Sequence, residues 1–236
     1  MKKFLFIIIF LIILSTPVFA QNYNATFSGV YGYILTPTAI PCPPKTFIIG
    51  FSYVFTPGTL PLALTFSFIK DWEIGIAYEL NLSGSGAINP LQLSTKIQFT
   101  KDASFGVIID GFLGSQGYTT IEPYVAIHSG SIFGKGVMDV TIGKDFYIGA
   151  GQNDLINLYI GTKIPLIGDQ FLLLAEFLNN PHRMGYIGYY GDGRGIFNMG
   201  FLLNLTPFLS IHFMTFDILD GFDFIMCFGV DLKLGI

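Results

Sequence analysis

The sequence predicts an all-β fold, an antiparallel transmembrane β-barrel of about 12 strands (range about 10–14) behind a cleaved signal peptide. Three observations lead there. Apolar residues recur with period two over most of the chain. Each alternating run is about 10 residues, the length of a tilted membrane-crossing strand. The face opposite the apolar one is small rather than charged, unlike a solvated surface.

Composition agrees. Of 236 residues, 51% are hydrophobic, 16% aromatic and only 12% charged. Mean hydropathy is +0.59. That excludes disorder, which needs low hydrophobicity and high charge. Twelve basic residues face 16 acidic ones without a basic cluster, which argues against nucleic-acid binding. Two cysteines make no disulfide-dense scaffold.

Residues 1–20 read as a signal peptide. Lys2 and Lys3 form the positive region, Phe4 to Leu14 the apolar stretch, and Val18-Phe19-Ala20 the small-residue approach to cleavage after Ala20. Eleven apolar residues are too few for a membrane-spanning helix. Cleavage would leave 10 basic and 16 acidic residues, a net charge near −6. Residues 21–44 follow as an N-terminal periplasmic or lumenal segment, and 45–236 as the barrel. No later segment could span as a helix.

The alternation is plain within the barrel. Phe47, Ile49, Phe51, Tyr53 and Phe55 share a face against Ile48, Gly50, Ser52 and Val54. Leu62, Leu64, Phe66 and Phe68 alternate with Ala63, Thr65 and Ser67. Trp72, Ile74, Ile76, Tyr78 and Leu80 alternate with Glu73, Gly75, Ala77 and Glu79. Leu91 to Phe99 and Phe222 to Leu234 repeat the pattern. A soluble sandwich also alternates; the aromatic outer face and small inner face favour lipid outside and a lumen inside. A spanning sheet must close, because lipid offers its backbone groups no partners.

Strands are expected near 45–56, 60–69, 72–82, 89–100, 104–114, 118–129, 132–143, 146–164, 168–179, 194–204, 207–217 and 222–234. An even count returns both termini to the periplasm. The weak point is 146–164, where Gly149 to Asp154 reads either as a bulge or as a turn. Gly29 to Leu35 is compatible with one more strand. Short turns are expected at Lys70-Asp71, Lys101-Asp102, Lys144-Asp145, Gly168-Asp169 and Thr206-Pro207. The long connection 179–194 falls on the extracellular side and is a candidate interaction surface.

No chemical motif stands out. His128, His182 and His212 are far apart, without metal-ligand spacing. His128 and His212 fall on inward faces, where a hydrogen-bonding role is favoured over acid–base catalysis. No G-x-S-x-G elbow and no nucleophile–base arrangement is visible, so no catalytic, metal or cofactor site is assigned and an enzyme is disfavoured. The inward faces carry Glu73, Glu79, Asp110, Glu122, Asp139, Glu176, Asp223 and Asp231 with Lys96, Lys163 and Lys233. With the two histidines these are the candidate lumen-lining residues. They fit a cation-leaning channel or an internal ionic network equally. Cys42 and Cys227 are read as two free thiols in preference to a disulfide.

Gly29-Val30-Tyr31-Gly32-Tyr33-Ile34-Leu35-Thr36-Pro37-Thr38-Ala39 resembles the opening of the YjbH-like outer-membrane β-barrel family. Phe47 to Tyr53 resembles its glycine-bearing first strand, Leu173-Leu174-Ala175-Glu176-Phe177 a later strand, and Lys70 to Gly75 its recurrent turn and strand. The resemblance implies an outer-membrane barrel and, from larger members, a link to exopolysaccharide production and secretion. It supplies no catalytic residues.

The expected protein is thus a non-enzymatic, porin-like barrel in the outer membrane of a diderm bacterium. It is expected to be a narrow channel or an accessory to solute or exopolysaccharide export, or alternatively a structural or surface-interaction barrel. Expected partners are outer-membrane lipid, the periplasmic chaperones and barrel-assembly machinery during biogenesis, and polysaccharide or small ions. No cofactor is expected.

Overall fold

A computed structural model describes residues 26, 29, 31–55, 58–82, 89–113, 119–132, 136–148, 156–179, 195–219 and 225–235. The expected signal peptide, His182, Asp223 and nearly all of the 179–194 connection lie outside the described residues.

The strands are β1 (Thr46–Val54), β2 (Thr59–Ser67), β3 (Trp72–Asn81), β4 (Asn89–Thr100), β5 (Ala103–Leu113), β6 (Thr119–Ile132), β7 (Gly136–Lys144), β8 (Phe146–Ile148), β9 (Ile156–Ile167), β10 (Phe171–Leu178), β11 (Ile196–Thr206), β12 (Leu209–Phe216) and β13 (Ile225–Gly235). All pair antiparallel, and β1 pairs with β13, from Thr46 opposite Gly235 to Val54 opposite Cys227. The sheet therefore closes on itself, so its two ends pair with each other and are not left to lipid.

Thirteen segments make a 12-stranded barrel because β7 and β8 are one stave. The register that puts Tyr124 opposite Gly143 continues without a slip to Ile121 opposite Phe146. This corrects the expected turn at Lys144-Asp145. Lys144 is still paired in β7, with Ile156 of β9, and Asp145 is buried. The connection to β9 lies after Ile148, so the strand expected to start at 146 starts at Ile156. The other Lys-Asp pairs do fall between strands, at 70–71 and 101–102.

The expected polarity of the wall is found. Phe51 is 48% exposed, Leu93 45%, Phe105 47% and Phe228 44%, and their neighbours along each strand are buried. A water-soluble protein rarely exposes so continuous an apolar belt. Short turns at 101–102, 168–170 and 207–208 gather at one end with the C-terminus, as in outer-membrane barrels with periplasmic turns.

The inner face is less uniform than its small-residue pattern suggests. On β10–β12 it carries Leu172, Leu174, Leu178, Ile196, Leu202, Met214 and Phe216, all buried. The described residues from Thr26 to Pro44 are mostly buried inside the barrel and belong to no strand. A bridge joins Gly32 to Pro37. Pro37, Pro41, Pro43 and Pro44 cannot donate to a ladder, so this stretch cannot extend the sheet.

Candidate functional site

The interior holds a plug. Tyr33 N–H donates to Thr36 O at 3.0 Å and Thr38 N–H to Tyr31 O at 3.2 Å, closing a tight turn. Ile34 and Leu35 form its tip. They pack in one apolar cluster with Val54, Leu178, Ile196, Phe216 and Ile225. The tip is anchored by the apolar wall, while the backbone is held by polar groups.

Three carboxylates do the holding. Glu176 Oε2 accepts the amides of Leu35 and Thr36 at 2.9 Å and of Ile34 at 3.3 Å. Three successive N–H groups converging on one anion form a nest. Asn198 Nδ2 donates to Glu176 Oε1 at 2.7 Å and fixes the carboxylate from the wall.

Glu73 grips both arms of the plug. Oε1 accepts Tyr31 N–H and Oε2 accepts Cys42 N–H, each at 2.7 Å. Lys96, opposite Glu73 in the β3–β4 register, pairs with it at 3.2 Å and donates to Tyr31 O at 3.0 Å. Both side chains are excluded from solvent, at 0% and 1% exposure. Such a pair is tolerable only because its remaining positions are hydrogen-bonded.

Asp139 holds the returning arm. Oδ1 accepts Ala39 N–H at 2.9 Å and lies 3.2 Å from His128 Nδ1, while Oδ2 accepts the Tyr33 hydroxyl. Burial, then the Asp139 charge, keeps the Tyr33 phenol protonated well above its ordinary range. The Tyr33 ring lies over Gly161, where a Cβ would come within 2.2 Å of it. Thr65 and Thr141 donate to Gly29 O and Pro37 O at 2.6 and 3.0 Å. Lys163 Nζ stands 5.6 and 5.7 Å from the Tyr31 and Tyr33 ring centroids.

The remaining sequence candidates sit elsewhere on the inward faces. Glu122 accepts from Asn157 and Tyr159 at 3.0 and 2.8 Å. Asp110 accepts from Thr120 at 3.2 Å. Lys233 donates to Ser210 at 2.8 Å. Glu79 is 9% exposed, and its Oε1 has no hydrogen-bond partner. His212 lies between Ser52, at 2.9 Å, and Asp231, at 3.2 Å.

Sequence reading missed Ser52 as a partner of His212, and missed Asp145 and Asp217 as buried acids. Among the described residues, nine buried carboxylates face three buried lysines: Glu73, Glu79, Asp110, Glu122, Asp139, Asp145, Glu176, Asp217 and Asp231 against Lys96, Lys163 and Lys233. Cys42 and Cys227 are buried free thiols in separate clusters. Burial, then the nearby Glu73 charge, pushes the Cys42 thiol well up.

A closed antiparallel wall, a lipid-facing apolar belt and a polar interior define an outer-membrane β-barrel. Solved porins share this fold. The KdgM porin in complex with disordered oligogalacturonate matches with a TM-score of 0.57 at 8% identity, over 79% of this chain and 98% of its own. The NanC porin matches with a TM-score of 0.52 at 12% identity, over 80% of this chain and 100% of its own. At such identities the likeness is one of fold. No family model and no curated protein matches the chain, so the YjbH-like resemblance rests on its motif alone.

Proposed function

We propose that this protein is a porin-like outer-membrane channel closed by its own N-terminal segment. It admits small neutral or cationic polar solutes when that segment leaves the lumen. The observation that supports this is the grip of Glu73, Asp139 and Glu176 on six plug amides. Amides and carboxylates are readily rehydrated, so the polar grip opposes withdrawal less than its hydrogen bonds suggest, and the apolar contacts of Ile34 and Leu35 add to it.

Charge sets the solute class. With nine buried acids against three lysines, the emptied lumen carries a negative potential that concentrates cations and repels polyanions. Oligogalacturonate, found with the KdgM porin, is a polyanion. The acidic interior here argues for uncharged saccharides or cations instead.

Liposome swelling tests the reading. Vesicles holding a variant without residues 26–39 are expected to swell fastest in a cationic amino sugar, more slowly in a neutral sugar and slowest in a uronate. Equal rates for all three, or none above empty vesicles, would refute it.

A second reading, an accessory role in exopolysaccharide export, is supported by one coincidence. The opening that most specifically carries the YjbH-like resemblance, Gly29 to Ala39, falls within the plug.

A further inference from the structure

Ser52, His212 and Asp231 lie on β1, β12 and β13, the first two 160 positions apart. The barrel register brings them together. Ser52 and His212 both stand opposite Gly229, one on each side of β13. Glycine leaves room for that meeting: a Cβ at 229 would lie 2.0 Å from His212 Nε2 and 2.4 Å from Ser52 Oγ and would displace them. Across that gap Ser52 Oγ and His212 Nε2 meet at 2.9 Å. Asp231 is two residues further along the same face, and its Oδ2 lies 3.2 Å from His212 Nδ1.

With the proton on Nδ1 and donated to Asp231, Nε2 is free to accept the Ser52 hydroxyl. That is a nucleophile, a base and an orienting carboxylate in the arrangement acyl transfer uses. The three residues are 6%, 3% and 0% exposed. They line a cavity of about 10 Å³ with Gly50, Ala63 and Thr26. This is space on the scale of one water. Asp231 Oδ1 is buried there without a hydrogen-bond partner.

We propose that Ser52 is an activated nucleophile that takes an acyl group from a small activated ester, with His212 as general base and Asp231 as a positioning residue. Ser52 Oγ bonds the carbonyl carbon and its proton passes to His212 Nε2. The ester C–O bond breaks, and the departing oxygen takes that proton. On the β13 side the strand around Ser52 is committed to the ladder, which leaves no amide there to act as an oxyanion donor. Lack of an oxyanion donor costs a factor of about 10²–10³ in rate. The acyl-serine is therefore the species to look for, rather than rapid turnover. Thr26 forms part of the cavity wall, so the plug covers the site, and an ester reaches Ser52 only when the plug leaves the lumen, which rests on the channel reading above.

The test uses the refolded full chain, its folding verified by heat-modifiable migration, with p-nitrophenyl acetate as probe and peptide mass spectrometry as readout. One acetyl group is expected on Ser52 and none in Ser52→Ala. Acetylation should be about 100-fold slower in His212→Gln. It should be faster in Thr26→Gly, and slowed in Asp231→Asn but restored in Asp231→Glu. Fluorophosphonate labelling of Ser52 in the unmutated chain gives a second readout that needs no variant. Absence of both labels from Ser52 in the wild type and Thr26→Gly would overturn the proposal. So would equal acetylation of folded wild type and folded His212→Gln.

Discussion

Glu176 Oε2 lies 2.9 Å from the amide nitrogen of Leu35, at the tip of a turn that the barrel encloses. The two residues are 141 positions apart and join the N-terminal segment to the middle of β10. Because the same carboxylate also holds Ile34 and Thr36, the backbone of the tip is held by one side chain, beside the apolar contacts of Ile34 and Leu35. Glu176→Gln keeps the shape and replaces one acceptor oxygen with an N–H donor facing amides. Loss of hydrogen bonds to a charged acceptor is worth about 1.5–3 kcal/mol. The variant should show a lower midpoint of heat-modifiable unfolding and faster proteolysis within residues 31–42.

Lys96 and Glu73 form a buried ion pair. Removing one partner strands the other, at about 3–5 kcal/mol. Glu73→Gln and Lys96→Met should each destabilise by that order, and the double variant by clearly less than the sum. Denaturant titration of the four proteins in detergent gives the coupling. Simple additivity would mean that the pair does not hold the plug.

Gly161 is the floor beneath the Tyr33 ring. A methyl group there would stand 2.2 Å from Cδ2 of the ring, well inside contact distance. Gly161→Ala should therefore eject or tilt Tyr33, and Gly161→Ala with Tyr33→Ala should recover much of the loss. Protection of the residue 33 amide in hydrogen exchange reports the outcome.

Burial and the Glu73 carboxylate raise the Cys42 thiol above its usual 9.0. A group raised on folding contributes stability that is intact below the unfolded pKa and is lost as pH rises above it. Folded protein should thus resist iodoacetamide at pH 9, where an unfolded thiol reacts. Its stability should fall above pH 9, less steeply in Cys42→Ala. Rapid alkylation of Cys42 in folded protein would show the plug absent from the lumen.

Sequence periodicity carried the wall well, because lipid on one side and a small-residue interior on the other impose a period of two on β1–β4 and β13. It failed where another signal imitated a turn. Lys144-Asp145 looks like Lys70-Asp71, yet Asp145 points inward on a continuing stave. Leu172, Leu174 and Leu178 were hidden for a different reason. On β10 Glu176 marks the inner face, but the rest of that face is leucine, so nothing in the pattern distinguishes Leu172, Leu174 and Leu178 from lipid-facing residues. Proline and glycine marked Gly29 to Pro44 as irregular, but irregular backbone has no period to tell a plug from a tail. Glu73, Asp139 and Glu176 were legible as inward acids; their amide partners were not. Ser52 and His212 meet only through Gly229, a register that local pattern cannot supply.

The central claim is that the N-terminal segment keeps the barrel shut. Single-channel recording in a planar bilayer under a salt gradient tests it most directly. The full mature chain should be silent or flicker rarely, and a variant lacking residues 26–39 should give steady, cation-selective steps. Equal conductance from the two proteins, or a deletion variant that folds and stays silent, would contradict it.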